Sequence, residues 1–226
     1  MATELKTMFK RFMEEYAFEL EKARATEKYK RPFGAFVRKD IPEKMQEKVD
    51  KSIYKVKGSV GAGRWTDVPW IAVFDTRMTK SAQKGVYIVY LLNKDSKELF
   101  LTLNQGATDV AQSRGNGSDG KLAFTRISTS SNGKITADLK KKAKKIREEI
   151  GNEPGLQYGD IDTGSEAYNA GCIFFKKYDL KTLPEDEQLY QDLSDFVKVY
   201  NSYYEKNLLR IQRMSGYLGL RCIIPE

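Results

Sequence analysis

The sequence predicts a single α+β domain over residues 1–226: a mostly antiparallel, curved β-sheet flanked by helices. Three observations predict it. Apolar residues near both ends of the chain recur at spacings of three and four, the helical period. Between them lie short apolar runs of strand length at Ile53 to Lys57, Trp70 to Phe74, Gly85 to Leu92 and Leu99 to Leu103. The last two are joined by the polar turn NKDSKE, which marks an antiparallel hairpin.

Each element follows in order. Leu5, Met8, Phe9, Phe12, Tyr16 and Leu20 trace one face of an amphipathic helix of about five turns. Lys28 to Lys39 is basic, carries Pro32 and Gly34, and reads as a connector. Ile41-Pro42-Glu43 opens a short helix toward Lys51, with proline in the first turn. These make a helical segment over 1–52, followed by a sheet core over about 53–178. Within that core Gly58 to Gly63 forms a loop, and Asn104 to Lys121, with Gly106, Gly115, Gly117 and Gly120, reads as a long mobile loop. Ala137 to Ile150 is a strongly basic helix closed by Gly151. Gly155 to Gly171 is rich in Gly, Asp and Ser, and Cys172 to Tyr178 is a short strand. After Pro184 comes a helix over about 185–210, with Leu189, Leu193, Phe196, Val197 and Tyr200 on one face. The tail at Ile223-Ile224 reads as a final strand.

Composition narrows the function. The chain has 226 residues, 40% apolar and 31% charged, as in an ordinary globular protein. A net charge of +8 favours a polyanionic partner, nucleic acid first and an anionic membrane second. No run approaches the ~20 apolar residues of a membrane span, and no signal peptide is visible. Cys172 and Cys222 are too few for a disulfide framework; as reduced thiols they suit the cytoplasm. There is no histidine. That excludes Ser-His-Asp triads, His-metal nucleases, zinc deaminases and HEXXH proteases, and two cysteines cannot close a zinc site. No cofactor, metal or catalytic residue is expected.

The richest stretch is KVKGSVGAGRWTDVPWIAVFD, Lys55 to Asp75, which holds both tryptophans, Trp65 and Trp70. Its glycine loop lacks the third glycine of a dinucleotide fingerprint and the GK[ST] of a P-loop. It is either a tight turn or a finger entering a DNA groove, with Arg64 reaching phosphates or base edges. Trp70, Tyr87 and Tyr90 lie on adjacent strands, either as core packing or as a cup for a flat ring. Extracting a base costs a few kcal/mol, and stacking on an aromatic returns about 1–3 kcal/mol. Lys140, Lys141, Lys142, Lys144, Lys145 and Arg147 form either a solvated helix face or a phosphate-contacting one; Arg77, Lys80 and Lys84 lie closer to the candidate pocket. Asp160, Asp162 and Glu166 are the only carboxylates weighed for metal-dependent cleavage, and the strand after them lacks the acid before its lysines. Cys172 has no imidazole to activate it and reads as core.

VKGSVGAGRWTDVPWIAVFD, then KGVYIVYLL and LTLNQG, resembles the N-terminal DNA-binding domain of McrB-type modification-dependent restriction proteins. YNAGCIFFKKYDLKTLPEDEQLYQDLSDFVKVY fits the same domain, and the resemblance covers most of residues 1–205. It implies a non-enzymatic module that finds a modified base in double-stranded DNA, 5-methylcytosine or another 5-substituted cytosine, and flips it into an aromatic pocket. By motif that pocket is Trp70, Tyr87 and Leu91. The groove loop is Ser59, Gly61, Ala62, Gly63, Arg64 and Trp65, and the phosphate contacts are Lys57, Arg77, Lys80 and Lys84. The best-known relative carries an aromatic between the two glycines where this chain has Ala62. Either Trp65 or Arg64 substitutes, or extraction works differently. The family's GTP-hydrolysing AAA+ motor and its Walker motifs are missing, which implies a motor and a nuclease in a missing domain or a partner. A different class of reading is an adaptor that recruits such partners and touches DNA only non-specifically.

Overall fold

The computed structural model describes residues 4–26, 32–107 and 133–217, with side chains described to residue 213. Helix α1 spans Leu5–Ala25 and buries Leu5, Phe9, Phe12, Tyr16 and Leu20, the stripe read from the sequence. Its N-terminus has no cap of its own: Glu4 makes no side-chain cap bond. The Asp186 carboxylate does that work from the far end of the chain, accepting Leu5 N–H at 3.0 Å and Lys6 N–H at 2.7 Å.

The expected connector is helical instead. Pro32–Ala35 forms α2, Phe36–Asp40 a π-helical turn, and Ile41–Gln46 helix α3. Phe33, Phe36, Val37 and Ile41 are buried, so four apolar anchors outweigh the basic residues around them. Helix α3 stops short of Lys51.

The sheet has five strands in sequence order: β1 Tyr54–Ser59, β2 Trp70–Asp75, β3 Val86–Asn93, β4 Glu98–Gln105 and β5 Phe174–Asp179. Every neighbouring pair is antiparallel. Helix α4 spans Gly133–Ile150, α5 Glu166–Gly171 and α6 Asp186–Tyr217, with a 3-10 turn at Leu180–Thr182 before α6. The architecture is α+β. Helix α5 falls inside the segment expected to be irregular. The expected strand at Ile223-Ile224 and most of the expected loop Asn104 to Lys121 lie outside the described residues, whereas Asn104 and Gln105 belong to β4.

Alternation along the strands gives the sheet two unlike sides. On one side Val56, Val73, Ile88, Tyr90, Leu101 and Tyr178 join α1 and α6 in the main core. A buried carboxylate locks this side: Asp192 accepts from Lys176 Nζ at 2.6 Å, Tyr178 Oη at 2.8 Å and Gln188 Nε2 at 2.8 Å. Three donors satisfy the charge that burial would otherwise penalise. The other side carries Ala72, Phe74, Tyr87, Val89, Leu91, Phe100 and Phe175, covered by Val68, Tyr168 and Cys172. At its β1 edge this second side ends in exposed Lys55 and Lys57.

Candidate nucleic-acid interface

The glycine loop is rooted at both ends. Val60 is fully buried, and Trp65 is 3% exposed and stacks on Tyr16 of α1 at 5.7 Å between ring centroids. Tyr16 Oη donates to Thr66 O at 2.7 Å, and Thr66 N–H donates to Val60 O at 2.8 Å, closing the loop at its base. Gly61 sits at φ 112°, where a Cβ would lie 2.1 Å from Arg64 O; only glycine makes this turn. Between the roots, Ala62, Gly63 and Arg64 are exposed. Trp65 is therefore part of the core, because its indole is spent on Tyr16 and Phe33. It does not project as a wedge, and of the two substitutes the sequence offered for the missing aromatic, Arg64 alone faces solvent.

Trp70 opens β2 next to this loop, opposite Leu91 of β3 and Ser59 of β1. It is half-buried, and its ring meets Phe74 edge-on at 6.4 Å and 87°. The expected cup between Trp70 and Tyr87 is not present in this conformation. Tyr87 lies four residues along β3 from Leu91, about 13 Å on the strand rise. Phe74 occupies the space beside it, with the two rings 5.6 Å apart. Tyr87 is 1% exposed and donates its hydroxyl to Ala82 O at 2.8 Å. Burial raises its phenol well above the ordinary value, so it is a neutral donor. Tyr90 has the opposite parity and packs on Phe9 in the main core. The structure thus brings Trp70 and Leu91 together and leaves Tyr87 beneath the surface. The same apolar cluster also holds Val68, Tyr168 and the half-buried Ile161, to which the sequence assigns no role. Tyr168 sits in the motif YNAGC, whose tyrosine was visible but whose helical placement was not.

The candidate phosphate contacts divide. Lys57, Lys80 and Lys84 are exposed on the second side or the segment after β2. Lys57 Nζ reaches Lys80 O at 3.4 Å. A cavity of about 350 Å3 is lined by Lys55, Lys57, Phe74, Thr76 and Lys80. Arg77 is different. Its Nε donates to fully buried Asp75 at 2.9 Å, its Nη2 to Asn201 at 3.1 Å, and its guanidinium lies 3.9 Å from the Tyr204 ring centroid. Arg77 is a strut between β2 and α6, on the side away from Lys57, and its donors are consumed by Asp75. On the basic helix, Lys144 and Lys145 pair with Glu148 and Glu149 at 3.8 and 4.0 Å, the solvated face of the two alternatives.

Among the described residues no group of three or more His, Cys, Asp or Glu side chains is placed to hold a metal ion. Asp160, Asp162 and Glu166 do not converge; Asp162 instead accepts Gly164 N–H at 3.0 Å. Burial pushes the Cys172 thiol up to about 12, the state of a core residue. Among the described residues no helix is long and apolar enough to cross a membrane.

No curated protein matches the chain. The sequence profile of the MrcB-like N-terminal domain matches residues 13–205, from the second half of α1 through the sheet, the glycine loop and two-thirds of α6. The chain therefore belongs to the MrcB-like N-terminal domain family.

Proposed function

We propose that this domain reads double-stranded DNA carrying a modified base, 5-methylcytosine or another 5-substituted cytosine, as the recognition module of a modification-dependent restriction system. Family membership supports a restriction-related DNA-binding role of the McrB type. The observation that carries the finer reading is the rooted loop: an exposed Ala62–Arg64 tip on a fixed base, beside a half-buried Trp70. A rigid finger enters a groove without the entropy cost of ordering itself. Arg64, one residue from the tip glycine, supplies the cation and planar group that Ala62 lacks. An extracted base then rests against Trp70, with Leu91 beneath it, and Lys57, Lys80 and Lys84 hold the flanking phosphates. The domain reads and does not cut. Cleavage and translocation belong to an AAA+ GTPase motor and a nuclease working with it in the cytoplasm.

A second reading, an adaptor with weak non-specific DNA binding, draws on the outer part of α6. There Leu208, Leu209 and Ile211 are 39, 52 and 56% exposed, a surface suited to a protein partner. Titrating methylated and unmethylated duplexes at two salt concentrations separates the two. The reader prefers methylated DNA. Trp70→Ala removes that preference, at a cost of roughly 5- to 150-fold for one lost stacking contact, and keeps the salt-sensitive background. A methylation-independent Kd with a steep salt slope in the unmodified protein refutes the reader and favours the adaptor.

A further inference from the structure

We propose that the cleft at the β1 edge of the second sheet side is a phosphate-ester site that seats one DNA backbone phosphate at a fixed step from the base read at Trp70. The inference rests on the DNA-reading function above and gives it a fixed register. Strand alternation builds the cleft: Tyr54 and Val56 turn into the core, so Lys55 and Lys57 must turn the other way. Lys80 arrives from the segment after β2 and completes the lining of the cavity of about 350 Å3. Phe74, 1% exposed, closes the floor, with Lys57 Nζ 5.8 Å from its ring centroid. The Thr76 hydroxyl is committed to Ile53 O at 3.0 Å, so the three ammonium groups are the donors that remain.

Among the described residues no acid pairs with them. Asp75 has the opposite parity and is bound to Arg77. Lys55, Lys57 and Lys80 make no ion pair among the described residues. Three like charges around one hollow repel a cation and gain from an anion. A flat ring finds Phe74 already covered, so stacking is not on offer. What fits is a compact, multiply hydrogen-bonding anion, and phosphate is that group. The Phe74 ring lies 6.4 Å from the Trp70 ring, and Lys57 Nζ lies 5.8 Å from the Phe74 ring, so the cleft adjoins the surface that would hold the base.

The test uses the full chain and a duplex with one 5-methylcytosine. Single neutral methylphosphonates are walked along each strand up to six steps from the modified base. Binding is measured for the unmodified protein, the triple variant K55Q/K57Q/K80Q and the charge-preserving K55R/K57R/K80R. The counterion-release slope is ~0.9 per phosphate, so a fourfold rise in salt weakens binding about 3.5-fold for each phosphate held. The glutamine variant loses about one such factor and the arginine variant keeps it. One methylphosphonate position at a fixed step from the modified base weakens the unmodified protein and leaves the glutamine variant unaffected. A flat methylphosphonate walk on a duplex that is bound with preference for the methylated form overturns this site alone. Pyrophosphate binding that the glutamine variant loses while its DNA binding is intact assigns the cleft to a free phosphate ligand and also overturns it. Failure to bind any duplex removes the DNA-reading function itself.

Discussion

Gly61 and Gly63 stand two residues apart in the same loop, both with positive φ, and the structure separates them sharply. At Gly63, φ is 80° and no atom lies within 4 Å of an added Cβ. Alanine there costs the left-handed strain of an L-residue, about 1–2 kcal/mol. A gain of about 0.4–1 kcal/mol from a stiffer unfolded chain offsets part of it. At Gly61, φ is 112° and the Cβ would fall 2.1 Å from Arg64 O and 3.0 Å from Thr66 N. Both atoms are backbone, and Thr66 N–H is the donor that closes the loop on Val60 O. Relief of the clash must open that bond, about 1 kcal/mol net, and shift Trp65 against Tyr16. Gly61→Ala therefore costs about 3 kcal/mol or more, in the class of strain at a special backbone angle. For a domain of this size that is a fall in Tm of roughly 6–12 °C, against about 0–6 °C for Gly63→Ala. Thermal and urea unfolding of the two variants, with the urea slope unchanged, measure the difference. Equal stabilities would show that the loop is not fixed at its base, and the rigid-finger reading would fall with it.

Two further outcomes follow from side chains whose roles the structure fixes. Arg77→Ala leaves Asp75 buried without its partner and costs about 3–5 kcal/mol in urea unfolding, while the salt dependence of DNA binding stays unchanged; a smaller salt slope would return Arg77 to the phosphate contacts. Cys172, in a Cys222→Ser background, does not react with a thiol reagent at pH 8 until the domain unfolds. Its folded thiol is raised to about 12 by burial, so above the unfolded value of about 8.5 folding takes up a proton and stability falls as pH rises, by up to about 1.4 kcal/mol per unit. Below the unfolded value the dependence vanishes. Urea melts at pH 8 and pH 10, read against Cys172→Ala, show this loss; parallel behaviour of the two proteins would mean that the thiol is solvated.

The sheet was legible because its signals are local. A strand such as Trp70–Asp75 declares itself by length and apolar content, and the turn before Glu98 declares its hairpin. The stripe of α1 was equally plain. The helical turns at Pro32–Asp40 were not, since their lysines and arginines describe only the wet side of a segment held by Phe33, Phe36 and Val37. In the candidate site the glycine spacing exposed the turn, yet not the fate of Trp65. An indole in a loop can point either way, and the partner that decides, Tyr16, lies 49 residues earlier on another element. Tyr87 and Tyr90 were grouped by proximity, whereas strand parity puts them on opposite sides of the sheet. Asp75 and Arg77 could be paired only after α6 was seen to bring Asn201 and Tyr204 to them.

The Asp186 carboxylate on the first amides of α1 has a consequence for biosynthesis. The opening helix meets its N-terminal partner 181 residues downstream. At ribosomal rates of about 5–20 residues per second, roughly 9–36 s pass between the emergence of the two. During that interval the first amides of α1 lack the carboxylate that α6 supplies. Capping of α1 therefore waits until Asp186 has been made, and a nascent chain stalled before residue 186 holds α1 without that acceptor.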